Sequence, residues 1–285
     1  MKLLSYRRAG AIRHGILRDS TVEELGDGDL RAHLAAPSAP DLTPLGRYPL
    51  ADVDILAPVT RPGKVLAVAA NYQEHIVEGG GARIDKSALV PRLFLKPGTA
   101  VANPGDPIRL PEHTQQMDWE AELVVVIGRT ARDVAVQDAL GIVGGYATGN
   151  DVSARSVDYG FEREGGAPGA SAVWFFDWLA GKWFDGFAPY GPYLVTPDEI
   201  PDPQNLDVTL EVNGKVRQDG NTADMIFTVA ELVSFSSKLM TLEPGDVIFT
   251  GTPAGVGAAT GEFLSAGDEM SVRVGSLGTL VNSVQ

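Results

Sequence analysis

The chain has 285 residues, of which 44% are hydrophobic and 21% charged, and its formal net charge is −14. This is the composition of a globular protein with one large domain, or one large and one small, and the negative charge argues against a nucleic-acid or anionic-membrane partner. With no cysteine, disulfides, thiolate zinc sites and a cysteine nucleophile are excluded, and a cytoplasmic location is expected.

No apolar run is long enough for a membrane span, and Met1-Lys-Leu-Leu-Ser-Tyr-Arg-Arg8 does not read as a signal peptide. The 33 glycines and 19 prolines predict many turns and short strands, hence a mixed α/β, β-rich fold. In chain order, Lys2 to Tyr6, Arg13 to Leu17 and Thr21 to Leu25 predict a short meander, a small unit by itself. An alanine- and proline-rich stretch from Ala35 to Pro49 follows. Asp54 to Pro58 and Arg61 to Gly63 then read as the linker into the main domain. Val65 to Ala70 is a short apolar strand, and the polar, glycine-rich segment from Glu78 to about Val90 is expected to be a mobile loop or lid.

Leu93 to Leu95 and Ile108 to Leu110 are expected strands. Ala121 to Ile127 is a buried strand that ends at Gly128, and Val136 to Leu140 is a short helical segment. Val143 to Ala147 is a strand leading into Gly149-Asn-Asp151. Leu206 to Val212 alternates and then meets Asn213-Gly214, a strong hairpin signal. Met225 to Met240 has helical spacing with a Thr228/Glu231 capping pattern. Val247 to Thr250 and Met270 to Val274 complete the strands.

Glu120 and Glu122 lie two residues apart, so they share a strand face. Two like charges among apolar neighbours need neutralising, and a hard divalent cation with oxygen ligands would do so. The alternative is a solvated strand end paired to Lys or Arg. Asp151 is a candidate third ligand, or an ordinary Asx turn. Asp118 rivals it by parity, and His113 is a lesser candidate.

His75 and Glu78 are neighbours on one helical turn, an arrangement that orients and activates a general base. A surface histidine at a loop start is the other reading. Lys182, flanked by aromatics, can stabilise a developing anion or simply snorkel at the surface. The glycine loop after Val247–Thr250 contains Pro253 and lacks a following amphipathic helix, which argues against a dinucleotide site.

Several motifs occur in order: Asn71-Tyr-x-x-His75 with Glu78; Phe94-x-Lys96-Pro97; Glu120-x-Glu122-Leu; Asn150-Asp-Val-Ser-Ala-Arg155; Gly181-Lys182-x-Phe-Asp185; Asn213-Gly with Gln218; Thr241-Leu-x-Pro-Gly-Asp246; and Thr250-Gly251-Thr252-Pro-Ala-Gly-Val-Gly257. Together they resemble the fumarylacetoacetate hydrolase family over about residues 64–285, and within it the bacterial branch acting on 2,4-diketo-3-deoxy sugar acids derived from L-rhamnonate or L-fuconate. The resemblance implies a fumarylacetoacetate hydrolase-like β-roll at 61–285, a small N-terminal domain at 1–60 and a homodimer. It implies Mg²⁺, or Mn²⁺ or Ca²⁺ in its place, on Glu120, Glu122 and Asp151. His75–Glu78 would be the water-activating pair, with Lys182 as the third catalytic group. Thr252, Gly251, Arg155, Gln218 and Lys96 are the expected substrate contacts.

The implied activity is hydrolysis of the C3–C4 carbon–carbon bond of a 2,4-diketo acid, a ketonic substrate, releasing pyruvate. Acylpyruvate or fumarylpyruvate hydrolysis, oxaloacetate decarboxylation and dienoate isomerisation or hydration would use the same centre. A non-catalytic metal-stabilised scaffold is a third class. The stretch from Gly160 to Leu179, with Trp174-Phe-Phe-Asp-Trp178, departs from the family pattern and is expected to border the substrate pocket. For a hydroxylated acyl chain, Arg83, Gln116, Asp158 and Gln218 are the available polar partners, whereas the aromatic run suggests an apolar wall.

Overall fold

The computed structural model describes residues 1–36, 41–161 and 172–285. Part of the Ala35–Pro49 stretch and of the Gly160–Leu179 stretch therefore lies outside the described residues. Among the described residues the strands form one large mixed sheet, a four-stranded antiparallel sheet and a two-stranded ribbon.

The large sheet explains the apolar run at its centre. Ala121–Ile127 is paired on one side with Val143–Asn150 and on the other with Val247–Phe249. Leu123, Val125 and Ile127 face one core, against Val208, Leu210, Val272 and Leu280 of the four-stranded sheet. Val124 and Val126 face the second core, with Val65, Ala67, Val247 and Phe249. A strand covered on both faces has no solvent face to mark by alternation. Leu123 is fully buried between the sheets, so Leu123→Ala is expected to cost about 2–5 kcal/mol. A denaturant midpoint unchanged from the parent would contradict this packing.

The sheet continues outward from Val247–Phe249 through Val65–Ala69 to the edge strand Arg92–Lys96. In the other direction it runs through Ala188–Val195 to Lys2–Arg8. The N-terminal meander, Lys2–Arg8, Ala11–Arg18 and Thr21–Asp27, is thus hydrogen-bonded into the main sheet through Lys2↔Val195 and Leu3↔Leu194. Asp54–Leu56, expected as linker, is a strand paired with Lys2–Arg8.

Other local expectations differ for identifiable reasons. Ile108–Leu110 is flanked by Pro107 and Pro111 and makes only an isolated bridge, Ile108↔Val284; proline cannot donate to extend a ladder. The helix expected from Met225 is Val229–Leu239, starting at a Thr228/Glu231 capping box. Ile226 and Phe227 stay out of it because their amides donate to the backbone and side-chain oxygens of Asn71. Asn213 and Gly214 both have positive φ, 51° and 72°, and close the hairpin between Asp207–Val212 and Lys215–Asn221. None of the described helices is long and apolar enough to cross a membrane.

Candidate metal centre and active site

The site forms where the central strands end. Ala121 is in register with Asn150, so Glu120 and Asp151 emerge side by side. The Asp151 amide donates to the Glu120 carbonyl at 2.8 Å, and the Glu120 amide to Asn150 Oδ1 at 2.8 Å. Oxygens of Glu120, Glu122 and Asp151 lie within 4.8 Å of one another, and all three residues are buried. Among the described residues they are the one acidic or imidazole cluster of this kind.

Asp118 shares the parity of the two glutamates but not their place. The chain turns before Ala121, and Met117–Asp118 pairs instead with Ser153–Ala154. Asp118 accepts from the amides of Trp119, Gly257 and Ala258 at 2.8, 2.6 and 2.9 Å, and from Arg155 Nε at 2.7 Å. It anchors a loop and aims Arg155. His113 lies apart, in a cleft with Asp158 and Tyr159.

Charge around the three carboxylates is unevenly compensated. Lys182 Nζ bridges Glu120 Oε2 and Asp151 Oδ2, at 2.8 Å each. Arg155 reaches Glu120 Oε1 at 2.7 Å, and Lys96 binds Asp151 Oδ1. Among the described residues Glu122 has no cationic partner; it accepts the Gly251 amide at 2.7 Å. Burial would raise the Glu120 carboxyl, yet Lys182, Arg155 and His75 outweigh it and hold it down to about 2. For Glu122, burial and the charges of Asp151 and Glu120 act together and push the carboxyl well above its usual value. Three oxygen donors with surplus negative charge on one of them fit a divalent cation.

Burial alone would lower the Lys182 ammonium, but Asp151 and Glu120 prevail and keep it above its ordinary value. Both carboxylates thus favour the charged ammonium of Lys182. Lys96 is the reverse case. Its side chain is wholly buried, and burial, with Lys182 nearby, lowers it despite Asp151. Its remaining hydrogen bonds go to the carbonyls of Phe187 at 2.7 Å and Val152 at 3.2 Å.

The helix Gln73–Glu78 carries His75 and Glu78. His75 Nδ1 is 2.7 Å from Glu78 Oε1. An ionised carboxylate only accepts, so Nδ1 is assigned the hydrogen, and in the neutral imidazole Nε2 is then the acceptor. Glu78 Oε2 is itself fixed by the Gly255 amide at 2.7 Å. Asn71 sets the approach: its Nδ2 donates to the carbonyls of Phe227 and Thr250 at 3.0 and 2.8 Å. Gly251, with φ of +97°, passes so close to Asn71 that a Cβ would lie 2.7 Å from that of Asn71. The segment after Glu78 is tied down by Gln73, which bonds both backbone groups of Ile84, and by Lys86 to Glu231 at 2.7 Å.

One pocket of about 290 Å³ opens onto His75, Glu120, Asp151, Arg155, Lys182 and Thr252. Its lining also includes Trp174, Phe175 and Trp178 of the helix Ala172–Ala180, with Leu93 and Phe94, and Phe94 meets Trp178 edge to face at 5.0 Å. The five expected contacts thus separate into two kinds. Thr252 and Arg155 line the pocket. Lys96 and Gln218 are not among its lining residues, and their polar atoms are held by internal contacts. Gln218 is fully buried: its Oε1 accepts the Ala121 amide at 2.8 Å, and its Nε2 donates to Thr252 Oγ1 and the Pro253 carbonyl at 2.7 and 2.8 Å. Gly251 likewise reaches Glu122 through its amide and is not a wall of the pocket. Arg92, which the sequence reading missed, is at the pocket. Its two-residue spacing from Phe94 and Lys96 is the signal that could have found it.

Residues 64–285 match the family described as Fumarylacetoacetate (FAA) hydrolase C-terminal, and residues 1–58 match Rv2993c-like, N-terminal. The chain belongs to the fumarylacetoacetate hydrolase family. Among its relatives is the oxaloacetate tautomerase FAHD2A, mitochondrial, of Bos taurus, 41% identical over 247 residues, covering 85% of this chain and 73% of that protein. The solved fumarylacetoacetate hydrolase of Exiguobacterium antarcticum is 34% identical, with a TM-score of 0.82 and coverage of 100% of this chain and 99% of that one. Maleylpyruvate hydrolase from Sphingobium sp. SYK-6, solved in complex with manganese(II) ion and pyruvate, is 28% identical, with a TM-score of 0.73 and coverage of 100% and 98%. The family comprises enzymes that use a divalent metal, with hydrolase, tautomerase and isomerase members, and its strand-rich α/β fold is the one described above.

Proposed function

We propose that this protein is a metal-dependent hydrolase that cleaves the C3–C4 bond of a 2,4-diketo acid and releases pyruvate. The observation that carries the reading is the pocket shared by a braced imidazole, a standing ammonium and the acidic cluster. A Mg²⁺ or Mn²⁺ ion held by Glu120, Glu122 and Asp151 would supply Lewis-acid polarisation of the 2-oxo acid end. His75 Nε2 takes a proton from water, and Glu78 stabilises the imidazolium that results. The hydroxide oxygen bonds to C4, where the Lys182 ammonium stabilises the developing oxyanion. The C3–C4 bond then breaks, its electron pair passes to C3, and C3 takes a proton to give pyruvate; C4 leaves as a carboxylic acid.

The acyl half follows from the walls. Gln218 is buried, Arg83 pairs with Glu74 outside the pocket, and Gln116 and Asp158 do not line it. A hydroxylated sugar-acid chain would find few polar partners against Trp174, Phe175 and Trp178, so the sugar-acid branch gives way to a short acyl chain with an apolar middle. Hydrolysis in ¹⁸O-labelled water is expected to place one labelled oxygen in the acid product. Product without label would sink the hydrolytic reading.

A second reading is supported by the oxaloacetate tautomerase relative. The same base could move the C3 proton of oxaloacetate between keto and enol forms, with no pyruvate formed. Relaxation of enol absorbance without pyruvate would favour it.

Cation binding has its own readout. At one hundred times its Kd, Mg²⁺ or Mn²⁺ is expected to stabilise the fold by about 2.7 kcal/mol. That raises the thermal midpoint by roughly 4–5 °C for a chain of this size, reversibly with EDTA. A midpoint indifferent to Mg²⁺, Mn²⁺ and Ca²⁺ would contradict the metal centre.

A further inference from the structure

We propose that Arg92 is a specificity-determining residue that binds a carboxylate at the far end of the substrate's acyl half, an inference that rests on the diketo-acid reading. Arg92, Phe94 and Lys96 lie on one strand at two-residue spacing, so their side chains share a face. Lys96 stands at the inner end, bonded to Asp151; Phe94 lines the pocket wall; Arg92 lines the outer end. At ~3.3 Å per residue the row spans ~13 Å of backbone, and the long Arg92 side chain can fold back toward a ligand shorter than that. Arg155 and Lys182 stand at the acidic cluster, paired with Asp118, Glu120 and Asp151. Arg92 is exposed and makes no hydrogen bond or ion pair among the described residues, so its five donors are available.

The pocket is thus charged at both ends with an aromatic waist between them. The complementary ligand is a short-chain diacid, with a 2-oxo acid head at the acidic cluster and a terminal carboxylate in the fork of Arg92. A planar guanidinium matches a carboxylate bidentately, which an ammonium cannot do. An unpaired rim arginine with no ligand is the competing account, and it predicts no difference between a diacid and a monoacid.

The test is calorimetric titration of the Mg²⁺-loaded protein with 2-oxopimelate and with 2-oxoheptanoate. Both carry the 2-oxo acid head on seven carbons, neither has a 4-oxo group to be attacked, and only the first has a terminal carboxylate. The wild type is expected to bind the diacid about tenfold tighter. Arg92→Ala is expected to reduce that preference to within twofold through weaker diacid binding, and Arg92→Lys to retain part of it. Equal binding of the two acids by the wild type, no binding of either, or a preference that survives Arg92→Ala would overturn the proposal. Pyruvate release by the wild type from acetylpyruvate and fumarylpyruvate separates the two readings. Release without a diacid preference removes Arg92 alone; a diacid preference without release removes the hydrolase and leaves the carboxylate site standing.

Discussion

Glu122→Gln is expected to abolish tight divalent-cation binding while leaving the fold intact. Glu122 has no cationic partner among the described residues, and an amide oxygen can still accept the Gly251 N–H. Burial, Asp151 and Glu120 all oppose its charge, so the cation-free variant should be at least as stable as the parent. Changes in residues that merely support a ligand typically cost 10–100-fold in metal affinity, and loss of an anionic ligand itself is expected to cost ~10³-fold or more. Glu120→Gln and Asp151→Asn differ in kind. Each strips a counter-charge from Lys182, and from Arg155 or Lys96, and leaves a buried cation under-compensated. These two should therefore lose stability as well as metal. Calorimetric titration with Mn²⁺, run beside thermal unfolding, reads both quantities. Near-parental Mn²⁺ affinity in Glu122→Gln would remove Glu122 from the ligand set.

His75→Ala is expected to lower kcat by ~10²–10⁴, with Mn²⁺ affinity close to that of the parent. In the proposed hydrolysis the imidazole acts through Nε2, while its Nδ1 is engaged with Glu78. Glu78→Gln keeps an acceptor for the Gly255 amide but withdraws the charge that stabilises the imidazolium, so its loss should fall between parent and His75→Ala. Lys182 is engaged instead with Glu120 and Asp151, which favour its charged form. Activity within tenfold of the parent in His75→Ala would remove the imidazole from the chemistry.

What could be read from the sequence was what depends on local period. Glu120 and Glu122 follow from strand parity, and His75 with Glu78 from a single helical turn, each within a few residues. The run Ala121 to Ile127 reads as buried because both its faces are covered. Asp118 had the right parity and the wrong place, because the extended chain breaks before Ala121 and two amides at 257–258 capture the carboxylate. Lys96 and Gln218 lie in motifs that point to the site, but a motif does not say which end of a side chain is used up inside the protein. Arg92 shares the parity of Phe94 and Lys96, and the pairing of Ala69 with Arg92 places that edge strand beside the segment leading to His75. The union of Lys2–Arg8 with Ala188–Val195 joins segments about 190 residues apart, and no local pattern announces it.

The most direct measurement of the central claim is pyruvate release from acetylpyruvate and fumarylpyruvate in the presence of Mg²⁺, coupled to lactate dehydrogenase, for the wild type and His75→Ala. The account predicts steady pyruvate formation from at least one of them, abolished by EDTA and reduced at least a hundredfold in His75→Ala. No pyruvate from either acid, or equal rates in the two proteins, would contradict it.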